Sequence, residues 1–155
     1  MRALTIVIME QRAHMVFAGH PAISPMIRLQ IAQAGMPVGD RVEMFQSRFF
    51  DRVFPDDNAA FERVILTDAV ENDREKSLVH MREVMLSGPF NCGIFIGGME
   101  GVEDEYKMFI RLHPGVSAFP IASTGAAAAI IFKSDSLIQK QFPALQDEFS
   151  YITLI

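Results

Sequence analysis

Short apolar runs, closed by turns rich in glycine and proline, alternate along this chain with segments whose apolar residues recur three and four apart. That alternation predicts strands and helices in turn. The clearest unit centres on Gly93-Ile94-Phe95-Ile96, a continuous apolar run suited to a strand covered on both faces. A glycine-rich turn follows, Gly97 to Gly101. A helix over residues 103–112 then opens on Glu103, Asp104 and Glu105 and turns Tyr106, Phe109 and Ile110 inward, before Pro114-Gly115 stops it. Residues 3–10 fit both patterns, with Leu4, Ile8 and Gln11 on a helical stripe and Thr5-Ile6-Val7-Ile8 rich in β-formers. Helix is preferred, because a cleaner strand over 14–18 follows so closely.

The same reading carries through the rest of the chain. After Gly19-His20-Pro21 comes a helix with Ser24 as N-cap and Pro25 as first residue, striped by Met26, Ile27, Ile31 and Ala34 and ended by Gly35. A turn over 37–40 and a strand over 41–46 precede a segment with Phe49, Phe50 and Phe54, read as irregular or as a short helix, and a polar turn over 55–58. Residues 61–67 make the next strand. Asn72 or Asp73 caps a helix whose positions Leu78, Met81, Met85 and Leu86 face the core, and Gly88-Pro89 closes it. A last strand over 116–122 leads to a small-residue helix over 125–132 capped by Ser123 or Thr124, then helical segments over 136–141 and 143–149. Strands alternating with helices in this way predict an α/β fold: a three-layer, Rossmann-like parallel sheet with helices on both faces. No repeat or linker interrupts the 155 residues, so a single domain over 1–155 is expected.

Composition narrows the function. A net charge of −5 and the lack of a basic stripe argue against nucleic acid as partner. The longest clean apolar run, residues 125–132, is far short of the roughly 20 residues a membrane span needs. The single cysteine, Cys92, rules out an internal disulfide and a cysteine-cluster metal site, and is expected to be an inert core thiol. No metal and no cofactor is expected. Arg2 and the short apolar stretch after it lack a small-residue cleavage site before Gln11-Arg12, so a cytoplasmic location is expected.

Three strand-to-helix turns carry small or polar residues: Gly19-His20-Pro21, Gly97-Gly98 with Gly101, and Ala122-Ser123-Thr124-Gly125. In a parallel sheet such turns emerge at the carboxyl edge, where open α/β folds bind ligands. Glycines leave backbone N–H groups uncovered, and a helix start behind them adds unpaired donors, an arrangement that suits an anion. Ser123 and Thr124 would add hydroxyls. The acids behind the central turn stabilise the helix start on their own account and would repel a phosphate. His20, between glycine and proline, serves either as acid or phosphate partner or simply as an organiser of its own turn. Arg74 and Arg82 lie in the helix before the central strand, with solvated surface charge as the plain alternative for both; Arg74, at the helix start, is nearer the carboxyl edge.

Taken together, Gly19-His20-Pro21-Ala22-Ile23, His80-Met81-Arg82, residues 96–105 and Ala122-Ser123-Thr124-Gly125 resemble the SLOG superfamily, Rossmann-like domains related to LOG (lysine-decarboxylase-like) and Smf/DprA proteins. The resemblance spans about residues 12–132. It implies two activities. LOG-type members hydrolyse nucleoside 5′-monophosphates with an arginine and with the glutamate of a Pro-Gly-Gly-x-Gly-Thr-x-x-Glu motif, whereas other members bind nucleotide-derived ligands as sensors. By position, Arg82 matches that arginine and Glu105 that glutamate, the catalytic pair of the hydrolase reading. Gly97, Gly98 and Gly101 match the glycines, with Met99 and Glu100 between them, and Gly125 with Ser123 and Thr124 completes the expected ligand-binding set. Three departures stand out: Ile96 replaces the proline, one extra residue separates the glycines, and Val102 stands where the threonine hydroxyl would give a charge-assisted bond of roughly 1.5–3 kcal/mol. Such domains also open with a strand and a glycine-rich loop, whereas here a helix comes first. The sheet either lacks its first strand or gains it from residues upstream, and in the former case a partner chain covers the surface, so a homo-oligomer is expected. A module that binds a nucleotide or an ADP-ribose-like, NAD-derived molecule is therefore favoured. The alternatives are a LOG-like phosphoribohydrolase and an oligomerisation domain with a vestigial pocket, self-associating around Phe49, Phe50 and Phe54.

Overall fold

The computed structural model describes residues 2–34, 41–54 and 61–151 of the chain. They form two compact units that meet between Met85 and Leu86 in sequence. The expected helix end at Gly35 and the turns over 37–40 and 55–58 lie outside the described residues.

The first unit opens with helix α1 (Arg2–Glu10), followed by strand β1 (Met15–Ala18), helix α2 (Ser24–Ala34), strand β2 (Val42–Ser47), a 3-10 segment (Arg48–Val53), strand β3 (Arg63–Thr67) and helix α3 (Arg74–Met85). The three strands form a parallel sheet in the order β1-β2-β3, with Met15 opposite Val42 and Glu43 opposite Arg63. Side chains alternate along a strand, so each face gathers its own set. Met15, Val42 and Met44 form one core with Ile27 of α2 and Phe61, and Ile8, Phe17, Ile23, Ile31 and Val64 pack around it. Glu43, Phe45 and Ser47 point the other way, and α3 packs against all three strands. All six β2 residues are buried, as expected of a central parallel strand. Glu43 is buried with them and is held by Arg63 from β3 and by His14, 3.9 Å away.

In the second unit, strand β4 (Cys92–Ile96), helix α4 (Glu100–Leu112), strand β5 (Ser117–Ile121), a 3-10 turn (Ala122–Thr124), helix α5 (Ala126–Ser134), helix α6 (Ser136–Gln141) and a 3-10 turn (Pro143–Leu145) follow in order. Strands β4 and β5 pair in parallel, Ile94 opposite Phe119 and Ile96 opposite Ile121. Ile94, Ile96 and Phe119 pack against a core of Ile121, Ala122, Phe132 and Leu145, with Ile138 of α6 beside it. On the other face Phe95 meets Tyr106 and Phe109 of α4 edge to face, at 5.2 and 5.8 Å between ring centroids. Phe109 also packs against Phe90 and His113, and the His113 Nε2 lies 2.8 Å from the Leu86 carbonyl. Each of the two parallel sheets, of three and of two strands, thus carries helices on both faces, the α/β, Rossmann-like architecture expected from the alternation.

Four local expectations are corrected. Helix α2 turns Ile27 fully inward but leaves Met26 more than half exposed, because neighbours on a helix sit about 100° apart and cannot share a narrow stripe. Ile110 of α4 is likewise exposed, next to the buried Phe109. The Ser24 hydroxyl accepts from the His20 N–H and reaches the Met44 sulfur, so it ties the turn to β2 rather than capping its own helix. Cys92 is exposed at the first position of β4, where strand pairing only begins. Protein around part of the thiol still desolvates it and raises its pKa. Asp73 caps α3 as expected, accepting from the Lys76 N–H at 2.9 Å. Among the described residues no helix is long and apolar enough to cross a membrane.

Candidate functional site

Strands β4 and β5 end side by side at their carboxyl edge, and two turns rise from it. Gly97 and Gly98 follow β4 with φ of 53° and 83°; Gly125 and Ala126 follow the second turn with 77° and 52°. These left-handed values suit glycine, and Ala126 holds one at a steric cost. A Cβ on Gly98 would lie 2.2 Å from Cγ2 of Val102, so α4 can seat its first turn only against a bare Cα.

Hydrogen bonds tie the glycine turn to the second turn and to the start of α5. The Gly97 N–H donates to the Thr124 hydroxyl at 2.8 Å, and that hydroxyl donates to the Ile121 carbonyl at 2.5 Å. The carbonyls of Gly98 and Gly97 accept from the N–H groups of Ala127 and Ala128 at 3.2 and 3.1 Å. First-turn amides of a helix lack partners in their own helix; here the glycine turn supplies them to α5. Neither Ser123 nor Thr124 caps α5, contrary to expectation: the cap residue is Gly125, and no side chain bonds there. Both sit one turn earlier, in the 3-10 segment, where the Ser123 hydroxyl is buried without a hydrogen-bond partner.

Helix α4 starts at Glu100, three residues before the expected position, so Glu100 and Gly101 belong to the helix and its first-turn acids are Glu100 and Glu103. Its cap residue is Met99, 76 % exposed and making no side-chain bond; the Val102 N–H returns to the Met99 carbonyl at 2.9 Å. Glu105 lies one turn further on and is half-buried. The structure thus brings together Gly97, Gly98, Ser123, Thr124 and Gly125, with Met99, Glu100 and Gly101 continuing into α4.

The remaining expected residues belong to the first unit. The Gly19 N–H donates to the Phe45 carbonyl at 2.8 Å, and a Cβ there would lie 2.7 Å from Gln46, so this glycine serves packing at the end of β1. His20 is exposed and organises its own turn: its Nδ1 accepts from the Ala22 N–H at 3.2 Å, and its carbonyl accepts from Ile23 and Ser24. Arg74 opens α3, exposed and paired with Glu75. Arg82 departs from the surface-charge alternative. It is 7 % exposed, on the inward face of α3 beside Met81 and Met85. Among the described residues no three of His, Cys, Asp and Glu converge as a metal ion requires.

What sequence reasoning missed is the backbone latch between the glycine turn and α5. Its signal lay in the small residues Ala126 to Ala129, which let two carbonyls approach a helix start.

A parallel sheet with helices on both faces, whose small-residue crossovers meet at the carboxyl edge, places the chain in the Rossmann-like class. Within it the chain belongs to the SLOG cluster3 family, whose family model matches residues 1–155. No curated protein and no solved structure matches it.

Proposed function

We propose that this chain is a binding module for a nucleotide or an NAD-derived molecule and acts as a sensor rather than a hydrolase. The observation that carries the reading is the 2.8 Å bond from the Gly97 amide to the Thr124 hydroxyl, which joins two crossover turns into one constellation at the carboxyl edge. Ligands of open α/β folds occupy that edge. The start of α4, uncapped by any side chain, and the unpartnered Ser123 hydroxyl add polar groups to the same constellation.

Binding is favoured over hydrolysis by Val102. Its methyl groups pack against Gly98, where a phosphate-binding hydroxyl would be needed, and the acids Glu100 and Glu103 occupy the helix start. A ligand anchored through its sugar and base tolerates these groups; a reaction that depends on a held phosphate does not. Thermal unfolding with AMP and ADP-ribose at millimolar concentration tests the reading. A ligand at a hundred times its Kd adds roughly 2.7 kcal/mol. A raised Tm with one of them, and no adenine released from AMP, is the expected result. No shift with either compound overturns it.

A further inference from the structure

We infer that the site is self-occupied at rest, and that the Gly97–Gly98 turn is a latch which a ligand must release. The inference rests on the binding reading above and concerns its regulation. The start of α5 is the natural place for an acceptor, since the first amides of a helix point outward unpaired. Here the carbonyls of Gly98 and Gly97 already fill it, bonded to the Ala127 and Ala128 amides, and the amide that would otherwise face a ligand from Gly97 is held by Thr124. The chain thus satisfies with its own backbone the donors that a ligand acceptor would use.

The same residues are built to let go. Gly97 and Gly98 carry no side chain and reach both halves of backbone space with equal ease, so the Gly97–Gly98 and Gly98–Met99 peptides can turn and offer N–H where they now offer C=O. Ala126 sits at φ 52°, a conformation alanine leaves readily once the carbonyls withdraw. Val102 lies against Gly98, so movement of the turn is transmitted to the first turn of α4. Release at α5 and displacement of α4 are one event. The apparent affinity for a ligand that needs the open turn is then lowered by the fraction of molecules in which the latch is open.

Amide hydrogen exchange by NMR tests the latch without ligand, and AMP tests its role. In the unliganded protein the Ala127 and Ala128 amides should exchange slowly for first-turn positions. Thr124→Val, which removes the acceptor for Gly97, should accelerate Gly97, Ala127 and Ala128 together by about fivefold or more, leaving Phe109 unchanged. Rapid exchange at Ala127 and Ala128 in the wild type, or no response to Thr124→Val, overturns the latch. Val102→Ala loosens the wedge and should tighten AMP binding severalfold, in parallel with faster exchange. Equal AMP affinity despite faster exchange shows that the latch does not govern binding and overturns the inference. Binding of neither AMP nor ADP-ribose to either form removes the binding function itself and the regulation with it, while the exchange data still decide whether the turn is latched.

Discussion

Replacing Gly98 with alanine should be among the most damaging single-methyl changes in this chain. Two costs combine. Holding alanine at φ 83° costs about 1–2 kcal/mol relative to glycine. The new Cβ would stand 2.2 Å from Cγ2 and 2.8 Å from Cβ of Val102, an overlap that forces α4 or the turn aside, and overpacking of this kind costs about 1–3 kcal/mol. The sum is about 2–5 kcal/mol, or a fall in Tm of at least about 4 °C for a protein of this size. Urea unfolding followed by circular dichroism measures it. The two costs separate in a cycle with Val102→Ala: the 2.2 Å overlap with Cγ2 disappears, while the 2.8 Å contact with Cβ and the backbone cost stay, so the variants should couple favourably by about 1 kcal/mol or more. Gly88 serves as control, since a Cβ there meets nothing within 4 Å, and Gly88→Ala should stay within about 0.5 kcal/mol of wild type. A Gly98→Ala loss below about 0.5 kcal/mol, or additivity with Val102→Ala, would refute the account of the turn.

Other substitutions probe separate features. Phe109→Ala removes the ring that joins Phe90, Phe95 and His113, and should cost about 3–5 kcal/mol in the same assay. Arg82→Ala should destabilise by about 3 kcal/mol without any ligand, because it strips a buried charged side chain from its surroundings, whereas Arg74→Ala on the exposed start of α3 should change stability by less than about 0.5 kcal/mol. The Tyr106 hydroxyl has its pKa raised by burial first and by the nearby Asp135 carboxylate second. The neutral form is favoured in the folded state, so this contribution is intact below the ordinary tyrosine pKa of about 10 and is lost as pH rises through the raised value. Urea midpoints taken from pH 9 to 11 should fall less steeply for Tyr106→Phe than for wild type. Partial desolvation also keeps the Cys92 thiol protonated at neutral pH, so iodoacetamide should label it more slowly at pH 8 than it labels free cysteine.

Much of this architecture is legible in the residue pattern, because burial on both faces of a parallel strand leaves runs such as Ile94-Phe95-Ile96, and helix caps such as Asp73 announce themselves. The family is legible too, through the glycine turn and the Ser123-Thr124-Gly125 crossover. Features set by a second segment of chain are not. Helix α4 begins early although Glu100-Gly101 looks like turn, since Val102 can seat against Gly98 only if the helix has already started. Arg82 reads as surface by polarity, and its burial depends on which side of α3 meets the sheet. The backbone bonds between Gly97–Gly98 and α5 involve no side-chain donor or acceptor, so residue types mark where they are permitted but not that they form.

The carboxylate of Glu43 answers a question that hydrophobicity leaves open in the first sheet. Sliding β2 by one residue would exchange the side chains on its two faces and set Glu43 toward the core around Ile27, yet a slide by two keeps every side chain on its own face. Such a slide would set Glu43 opposite Phe61 or Ile65 in place of Arg63, stranding a buried negative charge without its guanidinium. One acid in the middle strand thereby selects a single alignment from a ladder of otherwise equivalent ones.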